Sequence, residues 1–246
     1  MRVYGFGALG YAGRLGNQLW QVAAVISASA KDLGSRPHVP GDWEYRRYLS
    51  LPEDFYEAPQ RGDEVIDLAR DPRGPYFQRL EDIEGADCKT LFAPPEQSFA
   101  QHRTALHVRR TDYLNKPDRF PQVGEHYYQT ALKQARAKHQ TQAWVFSDDI
   151  DWCEENSEAL GLREEDVFIR GHVRPIDPRA RTGEPTDILD LFKMSTCDAF
   201  VIANSTFSWW AAYLSSSDEV YYPDRWFGPD VERFTGFLPT WTEVPC

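Results

Sequence analysis

Hydrophobic and polar positions divide the 246-residue chain into two unlike parts. From residue 104 onward, apolar runs at 104–108, 143–146, 166–169, 199–203 and 219–222 predict strands. Between them, residues 125–138 repeat apolar positions at helical spacing, with Tyr128, Leu132 and Ala135 on one face. Further helices are predicted from about Asp149, over 188–197 behind a Thr186-Asp187 cap, and over 207–214. Strands that are apolar throughout and joined through helices belong to a parallel sheet covered on both faces. The run at 219–222 closes the predicted series.

The first part is less regular. Residues 2–6 predict a strand running into Gly5-Phe6-Gly7-Ala8-Leu9-Gly10. Gly13-Arg14-Leu15-Gly16-Asn17-Gln18 then opens onto a helix with Leu19, Ala23, Ile26 and Ala30 at helical spacing, and Asn17 or Gly16 stands where its cap belongs. A glycine-rich turn at a helix start offers backbone N–H groups and the positive end of the dipole to an anion, and Arg14 adds a full charge. A tight strand-to-helix turn, with Asn17 merely capping, fits the spacing as well. The pattern is neither a dinucleotide fingerprint nor a phosphate loop. Prolines are dense between residues 37 and 95 and predict loops with short pieces such as 43–49 and 64–69. Arg46-Arg47 reads there as a surface pair, and the region as one wall of a cleft.

Composition narrows the function classes. A net charge of -11 argues against a nucleic-acid surface, so any phosphate contact must be local. The four cysteines share no metal-ligand spacing and read as reduced thiols. The start lacks a signal-peptide pattern, and no run approaches the roughly 18 to 20 apolar residues of a membrane span. A soluble cytoplasmic protein is expected.

Candidate chemistry gathers where predicted strands end. One junction carries Arg109, Arg110 and Asp112, a second Ser147, Asp148 and Asp149, and a third Asn204, Ser205 and Thr206. In a parallel sheet all three open on the same edge, where ligands bind. Arginine forks suit phosphate oxygens, and the Asn-Ser-Thr helix start would help hold a diphosphate. Asp149 could accept from the N–H edge of guanine, although N-capping accounts for one of Asp148 and Asp149 equally well. Capping likewise accounts for the Asn-Ser-Thr triplet. Asp149-Ile150-Asp151 matches a short acidic metal-binding pattern, but it lies inside a capped helix and arginines stand nearby, so no metal or other cofactor is expected.

Taken together, Gly13 to Gln18, His107 to Tyr113, Phe146 to Trp152 and Ile202 to Trp210 resemble, in order, the blocks of glycosyltransferase family 11, the α-1,2-fucosyltransferases. Tyr127-Tyr128 and Asp190 to Ser195 extend the likeness, which leaves residues 35–103 uncovered. The resemblance implies a GT-B-like α/β fold of two Rossmann-like halves: an acceptor-side domain over 1–103, a GDP-sugar-binding domain with a parallel sheet over 104–246, and a donor cleft between them. It implies inverting, metal-independent transfer of L-fucose from GDP-L-fucose to a hydroxyl of an oligosaccharide or glycan, α-1,2 on a galactoside. Arg109 would contact the β-phosphate, aided by Arg110. His107 and Asp148 or Asp149 would meet guanine or ribose, Asn204, Ser205, Thr206 and Ser208 the phosphates, and Asn17 the donor from the other domain. Asp112 is the acid nearest the arginines, as base or, with more weight, as a lock on their side chains; Glu125 and Asp118 are further candidates for the base. Arg14 and Thr111 each replace a glycine usual in the family. Two other readings stay open: a sister enzyme using GDP-rhamnose or GDP-L-galactose, and a non-catalytic nucleotide- or glycan-binding module.

Overall fold

Among the described residues of the computed structural model every strand pairs in parallel, which follows from strands that are separated by helices and loops long enough to cross back over a sheet. The structure describes residues 1–93, 103–139, 141–171, 185–215 and 217–246. Two compact units result, Met1–Glu96 with Arg174–Ile188, and Gln97–Val173 with Leu189–Cys246.

The first unit is built on β1 (Arg2–Gly5), flanked by β2 (Ser35–Pro37) and β3 (Glu64–Asp67) in the order β2-β1-β3. Helix α1 (Leu15–Ala30) is buried nearly all round, Gln18 and Gln21 included. A helix that is apolar on every side must lie inside. Its cap falls earlier than the sequence suggests: Arg14 is the N-cap residue, so Gly16 and Asn17 are already helical. Gly13 sets this boundary, because its φ of 92° lies in the left-handed region and a Cβ there would run into the Asn17 side chain. Helices α2 (Leu80–Ile83) and α3 (Cys88–Leu91) are single turns, and the 43–49 piece is a loop with a 3-10 turn at Arg46–Tyr48. The Tyr45 hydroxyl donates to Asp187 (2.7 Å), tying the segment before residue 189 to this unit.

The second unit holds β4 (Arg103–Val108), β5 (Gln142–Ser147), β6 (Val167–Ile169), β7 (Ala199–Val201), β8 (Val220–Pro223) and β9 (Thr242–Val244), ordered β6-β5-β4-β7-β8-β9. Helices α4 (Glu125–His139), α5 (Ile150–Glu155), α6 (Thr186–Ser195) and α7 (Thr206–Leu214) alternate with the strands. The chain winds outward from β4 to β6, then returns to start β7 on the other side of β4. That reversal is the topological switch point of a Rossmann-like sheet, and ligands bind beyond the carboxyl ends of the two strands beside it.

Leu106, Val108, Val145 and Val201 form the sheet side of the core, and Tyr128, Leu132 and Ala135 of α4 cover them as the periodicity predicts. Fully burying a side chain of this kind contributes about 1.5–3 kcal/mol. The polar pieces inside are paired: Asp166 takes the Arg136 guanidinium and accepts from the Ala143 and Arg163 amides, both at 2.7 Å. The predicted series closes one strand too soon. β9 pairs beyond β8, with Tyr221 opposite Thr242, a three-residue edge strand too short to show a period. Helix α6 begins at Thr186 itself, and the loop expected before it lies at 172–184, outside the described residues. Cys88, Cys153, Cys197 and Cys246 are free thiols, and among the described residues no helix is long and apolar enough to cross a membrane.

Candidate active site

Residues just past the carboxyl end of β4 carry most of the charge of the second unit's switch point. Arg109, only 10% exposed, sits between two carboxylates: one Nη pairs with Asp112 and the other with Asp148 (2.8 Å). Its guanidinium also lies 5.2 Å from the Tyr113 ring centre. Arg110 turns the other way. It lies flat over Trp152 at 3.6 Å and gives Nε to Asp149 (3.2 Å). Among the described residues its two Nη atoms make no hydrogen bond, so four N–H donors of a charged fork remain available.

Asp148, at the end of β5, organises this turn. Besides Arg109 it accepts from the Arg110 amide (2.9 Å) and from the Thr111 hydroxyl. Burial pushes its pKa up, but the Arg109 charge and these hydrogen bonds outweigh burial and hold the carboxyl below its usual value. Asp149 occupies the N-cap position of α5 without a side-chain cap bond. The Ser147 hydroxyl accepts from the Asp149 amide (2.9 Å), a local turn just ahead of the helix. The acidic triplet is not arranged as a shared ligand either: Asp149 faces Arg110, and Asp151 faces Arg170 at 2.8 Å.

His107 points into the protein at 4% exposure and packs against Phe207, ring centres 5.4 Å apart. Burial, with the Arg109 charge second, pushes its pKa down to about 3, so the imidazole is neutral. Its Nδ1 is buried and finds no hydrogen-bond partner among the described residues.

Across the switch point, the turn after β7 leads into α7. Asn204 is 2% exposed and gives its amide hydrogens to the carbonyls of Pro121 (3.0 Å) and Trp226 (3.1 Å), while its own carbonyl accepts from Tyr113 (3.1 Å). It therefore ties three loops together around the helix start. Ser205 is the N-cap residue without a side-chain cap bond, and the buried Ser208 hydroxyl lies 3.2 Å from the Ser205 carbonyl and 3.4 Å from that of Ala203. With no Ser205 side-chain cap bond, the first backbone N–H groups of α7 are what this helix end offers an anion.

The first unit carries Arg14 and Asn17 on its glycine-rich loop. Asn17 accepts from Gln78 (2.9 Å), and Gln18 and Gln21 brace the loop from inside by donating to the carbonyls of Gly13 (3.1 Å) and Ala12 (2.8 Å).

The structure thus brings His107, Arg109, Arg110, Asp112, Asp148 and Asp149 together, and links the Arg109 turn to Asn204 through Tyr113. Three contributors escaped the sequence reading as site residues: Trp152 under Arg110, Tyr113 on Asn204, and Phe207 against His107. All lie inside or beside the motif blocks, but only their partners in space give them a role.

The family model Glycosyl transferase family 11 matches residues 98–244. Similar curated proteins include an alpha-1,2-colitosyltransferase of Escherichia coli, 31% identical over 142 residues, covering 55% of this chain and 44% of the relative. The O-antigen biosynthesis glycosyltransferase WbnK of Escherichia coli is 31% identical over 170 residues, covering 66% and 52% respectively. The Homo sapiens galactoside alpha-(1,2)-fucosyltransferase 1 is 30% identical over 148 residues, covering 56% and 37%. The chain thus matches about half or less of the length of these relatives. Among solved structures, E. coli heptosyltransferase WaaC with ADP aligns with a TM-score of 0.50 at 10% identity, covering 100% of this chain and 93% of that one. This is a likeness of fold, and with the two parallel α/β units it makes the architecture GT-B-like.

Proposed function

Because the chain belongs to glycosyltransferase family 11, we propose that it transfers L-fucose from GDP-L-fucose to a sugar hydroxyl, α-1,2 on a galactoside, with inversion and without a metal ion. The observation that carries this reading is the arginine pair at the switch point, with Arg110 held by Asp149 through Nε alone and stacked on Trp152, and the α7 helix start at the end of the strand on the other side of β4.

When the bond between sugar and phosphate breaks, negative charge grows on the departing nucleotide. Fixed donors aimed at that charge stabilise the transition state more than the ground state. Arg110 supplies two Nη groups, the α7 start supplies backbone N–H groups, and Arg109 supplies charge from behind. A fork held flat on Trp152 needs no reorganisation to meet a phosphate, as a bound cation would not. Asp112 is engaged with Arg109, which supports the lock over the base as its role. His107, neutral and buried beside the arginines, meets the base or ribose of the nucleotide as an uncharged hydrogen-bonding ring.

The test is to incubate the protein with GDP-L-fucose and lactose and assay both released GDP and the fucosylated product. Product formation is expected; GDP binding with no turnover on any galactoside would refute transfer and favour a binding module. The relative named for colitosyl transfer favours one second reading, in which another GDP-sugar replaces GDP-L-fucose. Competition among GDP-L-fucose, GDP-rhamnose and GDP-L-galactose in the same assay decides between them.

A further inference from the structure

The first turn of α5 is shaped around Arg110. Asp149 and Trp152 stand three positions apart there, so they share one face of the turn. Asp149 takes the Nε edge of the guanidinium at 3.2 Å, and the Trp152 ring lies against its flat face at 3.6 Å. The other acids of the helix do not compete for it. Asp151 and Glu154 pair with Arg170 instead, at 2.8 Å and 2.6 Å. Trp152 is itself held: its half-buried ring packs against the core of the second unit, and its carbonyl accepts from the backbone amide (3.0 Å) and the side-chain amide (2.8 Å) of Asn156.

Holding an arginine with a ring differs from holding it with a second acid. Arg109 is gripped by two carboxylates, which occupy both of its Nη atoms and offset its charge. An indole face attracts a guanidinium without accepting any of its N–H groups and without adding negative charge. Arg110 is therefore restrained while its Nη edge stays open. Fixing so long a side chain in advance also removes an ordering cost that an arriving anion would otherwise meet.

We propose that Trp152 is a positioning residue for the transfer: it sets the direction of the Arg110 fork and leaves the Nη edge to the departing diphosphate. The inference rests on the donor role read for Arg110, and the experiment separates the two. Trp152→Leu and Trp152→Met, which keep an apolar side chain but have no π face, are made in the whole chain alone and together with Arg110→Met; Trp152→Phe restores a ring. Two replacements ensure that one variant failing to fold does not end the test. Transfer from GDP-L-fucose to lactose is read as kcat/KM, GDP binding by calorimetry and folding by a thermal melt, which closes a double-mutant cycle in both activity and affinity. Losing the ring should lower kcat/KM by about 10- to 100-fold, since the fork is then misplaced, and weaken GDP binding by about three- to tenfold. Trp152→Phe should regain most of both. In the Arg110→Met background the same replacements should change either quantity by less than about twofold. A lowered melting temperature with kcat/KM unchanged, or the same factor lost with and without Arg110, would overturn the proposal and leave the family reading standing. Non-additive GDP binding in a protein that transfers nothing would uphold the role of Trp152 and remove the transferase reading. A wild-type protein that neither binds GDP nor transfers would remove both.

Discussion

Replacing Arg110 by Met is the substitution that isolates charge stabilisation at the switch point. The side chain is 19% exposed and joined to its surroundings by one ion pair, with a 32% exposed Asp149, and by its stack on Trp152. Losing a partly exposed pair and a cation–π contact costs about 0.5–2 kcal/mol of stability. For a chain of this size that is a melting shift of roughly 1–8 °C. The loss in catalysis is larger. Two charge-assisted hydrogen bonds from the Nη atoms to a departing diphosphate are worth about 1.5–3 kcal/mol each, so kcat/KM falls by roughly 10²- to 10⁴-fold. Arg110→Lys keeps the charge without the fork and should fall between Met and wild type. The assay is initial-rate GDP release at saturating lactose, with a thermal melt of the same preparation. A kcat/KM for Arg110→Met within about tenfold of wild type would refute the role. Arg109 cannot be tested so simply: removing it strands the buried Asp148 carboxylate, at about 3–5 kcal/mol, and folding and catalysis would fail together.

Three further outcomes are expected. His107 has a folded pKa below its unfolded one, so the unfolded chain takes up the proton first and stability falls as pH drops below about 6.5, by about 2 kcal/mol between pH 6.5 and 5; urea unfolding at both pH values should show a smaller loss for His107→Phe, and equal losses would remove this account. The Tyr127 hydroxyl lies 2.6 Å and 2.9 Å from the Ile202 and Tyr221 carbonyls, so Tyr127→Phe should destabilise by about 1–3 kcal/mol in the same measurement, and an unchanged urea midpoint would contradict it. EDTA should leave transfer intact, whereas activity lost to EDTA and restored by Mg²⁺ would show that the arginines do not replace a cation.

Strands of the second unit were legible because a sheet buried on both faces writes uninterrupted apolar runs, as at Leu106–Val108 and Ala199–Val201. The site was legible to the extent that it follows from topology: once the strands are parallel, the ends of β4, β5 and β7 must share an edge. Partner choice was not. Nothing in the order of residues says that Asp148 serves Arg109 while Asp149 serves Arg110, or that Asn204 spends its amide on two loop carbonyls. Those pairings join positions 22 to 83 residues apart and depend on how loops close. The N-terminal stretch was opaque for a related reason. Short strands such as Ser35–Pro37 and the 3-10 turn at Arg46–Tyr48 carry too few residues for a period to emerge, so a pocket lined by residues between 41 and 56 is a product of tertiary structure.

The adjacency of the two arginines is itself an element of the mechanism. Successive side chains on extended backbone point to opposite sides, so a pair that leaves the end of a strand is divided by geometry before any partner is chosen. Arg109 meets the Asp112 and Asp148 side, and Arg110 meets Asp149 and Trp152. Had both faced one way, the same three carboxylates or one phosphate would have had to satisfy both guanidinium groups. Divided, one arginine is neutralised and held, which fixes the turn. The other keeps its fork open, which gives the turn its affinity for an anion. Three aspartates beside two arginines leave the cluster slightly negative, so attraction for a diphosphate cannot come from bulk charge in a protein that is already at -11. It has to come from local donors: the Nη groups of Arg110 beside the end of β5 and, beyond β7, the backbone N–H groups at the α7 start.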